Sequence, residues 1–347
     1  MNDTGLFDIF RRKLRSFACI VISKCEQGRH NPIRSLLGDA AYFRFKSLVA
    51  VFAVKGKYRT HRLSGPLKTV VSVFNGDVYN PGLADRLRSI ASVYYWCKTN
   101  GIDYKIHFTY PFVLQDYLTP NKVDWVCENL DYNSAVPEAV ISYLGIFGEE
   151  KNRSLHLAAL ENLKNLKCPT VHLYSNTCCN DDWFYECFNE LFTPSRQLES
   201  EIQMFQQEIG GEYITLSFRF TQLLGDMKDT VGEPLPEDER ARLIETCRNS
   251  IKDIMSRNDV SKCVVTSDSV TFINEVSSLP YVFIIPGAIG HVANDVSEAQ
   301  VRKTFWDMFI ISRAKKAYMV RTPAMYRSGF ASRSAMIGNV PFEEVVI

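Results

Sequence analysis

The chain has 347 residues and a net charge of +1, with 46% apolar and 23% charged residues, ordinary proportions for a soluble globular protein long enough for two domains. They exclude collagen-like, low-complexity and disordered chains, and no apolar run reaches the roughly 18 to 20 residues that a membrane span needs. The small net charge conceals an asymmetry: residues 1–70 hold 14 Lys and Arg against 4 Asp and Glu, so a basic head precedes an acidic body and suits an anionic partner, membrane lipid or charged glycan.

The first stretch, Leu6–Ile22, mixes apolar and basic residues at roughly helical spacing. It reads either as an interfacial helix on an anionic inner leaflet or, with more weight, as a helix packed on the body with its basic side in water. The start Met1-Asn2-Asp3-Thr4-Gly5 lacks the basic and apolar regions of a secretion signal. Ten cysteines occur without a C-x-x-C pair, and Cys97, Cys127, Cys247 and Cys263 fall in apolar or helical stretches. A reduced cytoplasmic setting follows, with the inner face of the cytoplasmic membrane as an option through the basic head.

From residue 67 strands and helices alternate. Thr69–Phe74, Asp103–Thr109 and Pro169–Ser175 read as strands, and Leu83–Thr99, about 154–166 and about 182–191 as helices. A helical stretch at about 196–209 precedes a second series. Its strands are Tyr213–Phe220, Lys262–Thr266, Tyr281–Ile285 and Lys316–Val320, and its helices are at about 237–257, 269–278, 298–314 and 331–337. The expected fold is α/β: two doubly wound Rossmann-like halves facing across a cleft. A basic helical extension at 1–66, an acceptor-side domain at 67–209 and a nucleotide-sugar domain at 210–347 follow, with Gly210-Gly211 as the hinge.

Ligands in open α/β sheets bind beyond the carboxyl ends of the strands, and three places in the second half put polar residues there. Arg219 ends a strand, where its five-donor fork suits a diphosphate or, equally, pairs with a carboxylate such as Asp226 or Asp229. Asp268 and Ser269 follow Val264–Thr266 and read first as helix capping, second as contacts to a ribose or base. Ser328, Gly329, Phe330 and Ser332, with Arg333 nearby, read either as a helix start whose backbone N–H groups would favour an anion or, equally, as an ordinary loop into a terminal helix. In the first half Asn75-Gly76-Asp77 ends a strand, and Pro81-Gly82-Leu83-Ala84-Asp85-Arg86-Leu87-Arg88 opens a helix. Arg86 and Arg88 there oppose the helix dipole, which a ligand explains better than stability does. G-x-G-x-x-G, Walker, G-x-S-x-G and zinc-spaced motifs are missing. The cluster Cys178, Cys179, Asp181, Asp182 and Cys187 has no metal-site spacing, and His107 and His172 read as core histidines.

Taken jointly, these segments resemble the fucosyltransferase superfamily of the GT-B type, nearest the bacterial nodulation-factor and α1,6-/α1,2-fucosyltransferase group, with protein O-fucosyltransferases more remote. Gly82-Leu-Ala-Asp-Arg-Leu-Arg-Ser matches the family's glycine-containing strand–helix turn. Ser217-Phe218-Arg219 stands where the family has H-x-R, with Ser217 replacing the histidine. Thr266-Ser267-Asp268-Ser269 matches its Ser/Thr-Asp turn, and Trp306-Asp307 followed by Ser328–Ser332 matches its last motif. The resemblance covers about residues 68–340. It implies a metal-independent, inverting transfer of fucose from GDP-fucose to a glycan hydroxyl, in synthesis of a bacterial surface polysaccharide or glycoconjugate, with no cofactor and no nucleic-acid partner. Arg219 would hold the β-phosphate and stabilise the departing GDP, Ser328 and Ser332 would bind phosphate, and Asp268 would read ribose or guanine. The donor-binding set is then Gly82, Arg86, Ser217, Asp268, Ser269, Ser328, Gly329, Phe330 and Ser332, and Asp85 and Asp77 are the candidate bases, Asp85 preferred. Two alternatives stay open: another nucleotide sugar on the same fold, or a non-catalytic glycan- or membrane-binding protein.

Overall fold

The computed structural model describes residues 32–59, 64–80, 82–141, 148–176, 182–226, 233–289 and 296–347; the reading of Leu6–Ile22 lies outside them. The chain divides into two compact units, Met1–Tyr110 with Lys122–Cys187, and Pro111–Asn121 with Phe188–Ile347. In chain order the first unit holds α1 (Pro32–Leu37), α2 (Asp39–Val54), β1 (Thr69–Phe74), α3 (Leu83–Thr99) and β2 (Asp103–Phe108). After the short β3 (Leu118–Pro120), which belongs to the second unit, it resumes with β4 (Val136–Val140), α4 (Glu149–Leu163) and β5 (Thr170–Ser175), and α5 (Phe184–Leu191) crosses the boundary.

The first sheet runs β2-β1-β5-β4, all parallel. β1 is Thr-Val-Val-Ser-Val-Phe, buried from Val70 onward, because a parallel sheet is covered on both faces and needs a continuous apolar run. α3 lays Leu83, Leu87, Ile90 and Cys97 at helical spacing against it. α3 and α4 are fixed side by side where Trp96 Nε1 donates to Glu161 Oε1 at 2.7 Å. The described end of the extension expected at 1–66 does not stand apart: Val54 and Tyr58, at the end of α2 and just beyond it, join Val71, Val73, Ala139 and Tyr174 in one core.

The second unit adds β6 (Phe192–Pro194), α6 (Arg196–Ile209), β7 (Ile214–Phe218), α7 (Glu237–Ser256), β8 (Cys263–Ser267), α8 (Val270–Val276), β9 (Val282–Ile284), α9 (Glu298–Ile311), β10 (Lys316–Arg321), α10 (Phe330–Ile337) and β11 (Phe342–Val346). Its parallel order is β11-β10-β7-β8-β9, and β3 pairs antiparallel with β6. From β7 the chain steps one way to β8 and β9, then returns on the other side to β10 and β11. The topological switch point therefore lies between the carboxyl ends of β7 and β10. α10 approaches α9 so closely that a Cβ on Gly338 would run into the carbonyl oxygen of Ser312.

The expected boundary at 209/210 moves to 187/188. α6 belongs with the second unit because Arg313 bridges to Glu199 and Arg302 to Glu201, with Trp306 Nε1 donating to Glu201. Gly210-Gly211 is a helix stop inside that unit, with Gly210 as a left-handed C-cap at φ 62°. β4 and β11 were not foreseen. Val136-Pro-Glu-Ala-Val and Phe342-Glu-Glu-Val-Val are half-exposed edge strands, whose proline and acids hide the strand pattern. The described cysteines are free thiols, all buried except half-buried Cys127.

Candidate functional site at the strand ends of the second unit

Alternation along β7 builds this site. Phe218 and Phe220 point to one side and pack on Phe272 of α8, with ring centroids 4.7 and 4.9 Å away. Arg219, between them, projects to the other side. Its Nη1 lies 3.1 Å from Oδ2 of Asp268, which follows β8, and its side chain stays 17% exposed against 4% for the carboxylate. Asp268 is thus a partner of Arg219; Asp229 lies outside the described residues.

Asp268 also fixes the turn that carries Arg219. Oδ1 accepts the Phe220 N–H and Oδ2 the Thr221 N–H, each at 2.8 Å. Thr221 has φ +54°, a left-handed conformation costly for a β-branched residue. Its hydroxyl donates back to the Phe220 carbonyl at 2.6 Å. Burial pushes the Asp268 carboxyl above its ordinary value; Arg219 and the two backbone donors pull against that. With its oxygens bonded to protein groups, Asp268 positions Arg219.

Ser217 shares the Arg219 side of β7 and pairs with Thr266 of β8, hydroxyl to hydroxyl at 2.7 Å. Ser269 is the N-cap of α8: it accepts from Phe272 N–H at 3.1 Å and donates to Asp226 at 2.7 Å. Arg321, the last residue of β10, and Arg327 beyond it are held by the two oxygens of Glu344 on β11, at 2.7 and 2.8 Å. Ser328 accepts the Phe330 N–H at 3.2 Å, Gly329 is the N-cap of α10, and Ser332 donates to the Gly329 carbonyl at 3.0 Å. The start of α10 and Arg219 lie on the same edge of one sheet, on neighbouring strands.

The first unit treats its candidates differently. Arg86 is 2% exposed, donates to the carbonyls of Tyr110 at 2.8 Å and Asn80 at 3.3 Å, and lies over the Phe108 ring. Burial lowers its pKa to about 10. These partners account for a cation at the helix start without a ligand. Gly82 caps α3 at φ −60°, a conformation open to any residue. Asp85 is about one-third exposed, 3.7 Å from Arg88. Asp77 has both oxygens on Lys57 and one on Asn75. Gly76, at φ +81°, sits where a Cβ would press on the Tyr110 ring. His172 is a buried histidine bonded to Tyr58 Oη, and half-buried His107 is bonded to the Cys127 carbonyl.

The sequence also concealed a cavity of about 430 Å³ in the second unit, where α6 and α9 begin. Phe112 and Tyr117 wall it, Tyr117 stacked on Phe305. Asp116 lines it, and Arg302 spans Glu201 and Glu298 at 2.6 and 2.7 Å. Residues drawn from 111–117, 195–201 and 296–302 leave no contiguous motif. Among the described residues no group of three or more His, Cys, Asp or Glu is placed to hold a metal ion, and no helix is long and apolar enough to cross a membrane.

No protein-family model matches the chain, and no curated protein does. Among solved structures it is similar to fucosyltransferase NodZ from Bradyrhizobium, at 16% identity and a TM-score of 0.51 over 80% of this chain and 96% of that one. It is likewise similar to NodZ α1,6-fucosyltransferase soaked with GDP-fucose, at 15% identity and a TM-score of 0.51 over 80% and 94%. The fold, two parallel α/β units, is that of the GT-B glycosyltransferases.

Proposed function

We propose that the chain is an inverting, metal-independent glycosyltransferase that moves fucose from GDP-fucose to a glycan hydroxyl in bacterial surface-polysaccharide or glycoconjugate synthesis. The observation that carries the reading is Arg219: a strand-end guanidinium at the switch point, seated by Asp268 and left partly open. Its planar fork suits two oxygens of a diphosphate. As the sugar–phosphate bond lengthens, negative charge gathers on the β-phosphate, where a fixed guanidinium lowers the barrier. Ser328, Gly329, Phe330 and Ser332 supply the helix start for the other phosphate oxygens, with Ser217 and Ser269 supporting neighbouring strand ends. That a solved fucosyltransferase of the same fold was soaked with GDP-fucose supports the donor. Asp85 is the proposed base, because Asp77 is tied to Lys57 and Asn75.

The test is a thermal-shift titration of the whole chain with GDP, UDP and their sugars. GDP and GDP-fucose should raise the midpoint by several degrees at a hundredfold excess over Kd, and UDP should not. Turnover of another donor with GDP-fucose inert would replace the donor and keep the fold; no nucleotide binding at all would discard the reading.

A further inference from the structure

We propose that the outward face of α2 docks on an anionic bilayer surface. A helix turns about 100° per residue, so residues 41, 45, 48 and 52 share one side. On α2 these are Ala41, Phe45, Leu48 and Phe52. Phe45 is 36%, Leu48 66% and Phe52 65% exposed, and Leu36 of α1, just before it, is 86% exposed. The opposite side, with Tyr42, Phe43 and Val54, is buried. Among the described residues, α2 is therefore apolar on its outward side as well as on most of its buried side, where Lys46 also lies, an arrangement that water alone does not favour.

Charge identifies the occupant. Arg44 and Lys55, both exposed, fall on the helical wheel beside Leu48. The only acidic residue of α2 is Asp39, at its first position, where Arg34 and Lys151 pair with it. An apolar stripe edged by cations and free of acids fits phenyl and isobutyl groups at the acyl boundary, with Arg44 and Lys55 at anionic headgroups. A second protein copy would set Arg44 and Lys55 against like charges across a two-fold contact. A bilayer meets them with opposite ones.

The experiment sediments the full chain with phosphatidylcholine vesicles, with and without phosphatidylglycerol. Binding should require phosphatidylglycerol. It should fall about a hundredfold in Leu48→Glu/Phe52→Glu and about fivefold for each of Arg44→Ala and Lys55→Ala, with melting midpoint and elution volume unchanged. The more conservative Leu48→Ser/Phe52→Ser guards against misfolding of the first variant. Failure of the wild-type chain to bind, or wild-type binding by both double variants, overturns the proposal. So does a lowered midpoint or dissociation of an oligomer in the serine variant, since that stripe would then be covered by protein.

Discussion

Arg86 and Arg219 each stand near the carboxyl end of a parallel strand in a Rossmann-like unit, and the two units use them in opposite ways. Arg86 spends its donors on the carbonyls of Tyr110 and Asn80 over the Phe108 ring, nearly sealed from water. Arg219 is gripped by one buried carboxylate and keeps an open side. A guanidinium that closes loops on carbonyls is a brace; one seated by a carboxylate and still 17% exposed is the one proposed above to meet a diphosphate. The amino-acid type is the same, and only its partners separate the two roles.

The sharpest challenge to that contrast is Arg219→Ala. It should lower transfer by about 10²- to 10³-fold and leave the melting midpoint near that of the wild type, measured by initial rates and calorimetry; retained activity would remove the contrast's functional half. A second challenge is acid. His156 and His172 of the first unit are buried and held neutral, with burial depressing each to a pKa of about 4. The unfolded chain takes up those protons near 6.5, so the stabilisation is full above that pH and fades as pH falls from 6.5 towards 4. The loss is about 3 kcal/mol per group, visible in urea melts across that window and reduced in His156→Phe.

Arg86→Met tests the brace. It should cost about 2 kcal/mol of stability through unsatisfied carbonyls and leave GDP affinity unchanged in calorimetric titration; weakened GDP binding would return Arg86 to the donor set. Ser328→Ala should be the mildest change, about 1 kcal/mol in GDP affinity, with no effect on the midpoint.

Much of this architecture was legible because the signals were local. β1, α3 and α6 fall where apolar periodicity and caps place them. Arg219, Asp268 and Ser328 were visible because a strand end followed by a polar turn is a continuous pattern. What stayed hidden was long-range. The carboxylate that seats Arg219 is 49 positions away, the β3–β6 pair joins segments some 75 residues apart, and edge strands β4 and β11 carry proline and acids. The partners of Arg86 were hidden for the same reason: the carbonyls of Asn80, before α3, and Tyr110, after β2, carry no side-chain signature.

Gly338 gives one last consequence. The backbone amides proposed to receive phosphate are at the start of α10, and the residue that lets the helix sit down on α9 is just past its end, against Ser312. Any larger residue there would tilt the helix like a lever. In a random mutant screen, a substitution remote from every ligand atom would then score as a binding defect, and second-site suppressors would arise around Ser312 before they arose near the nucleotide.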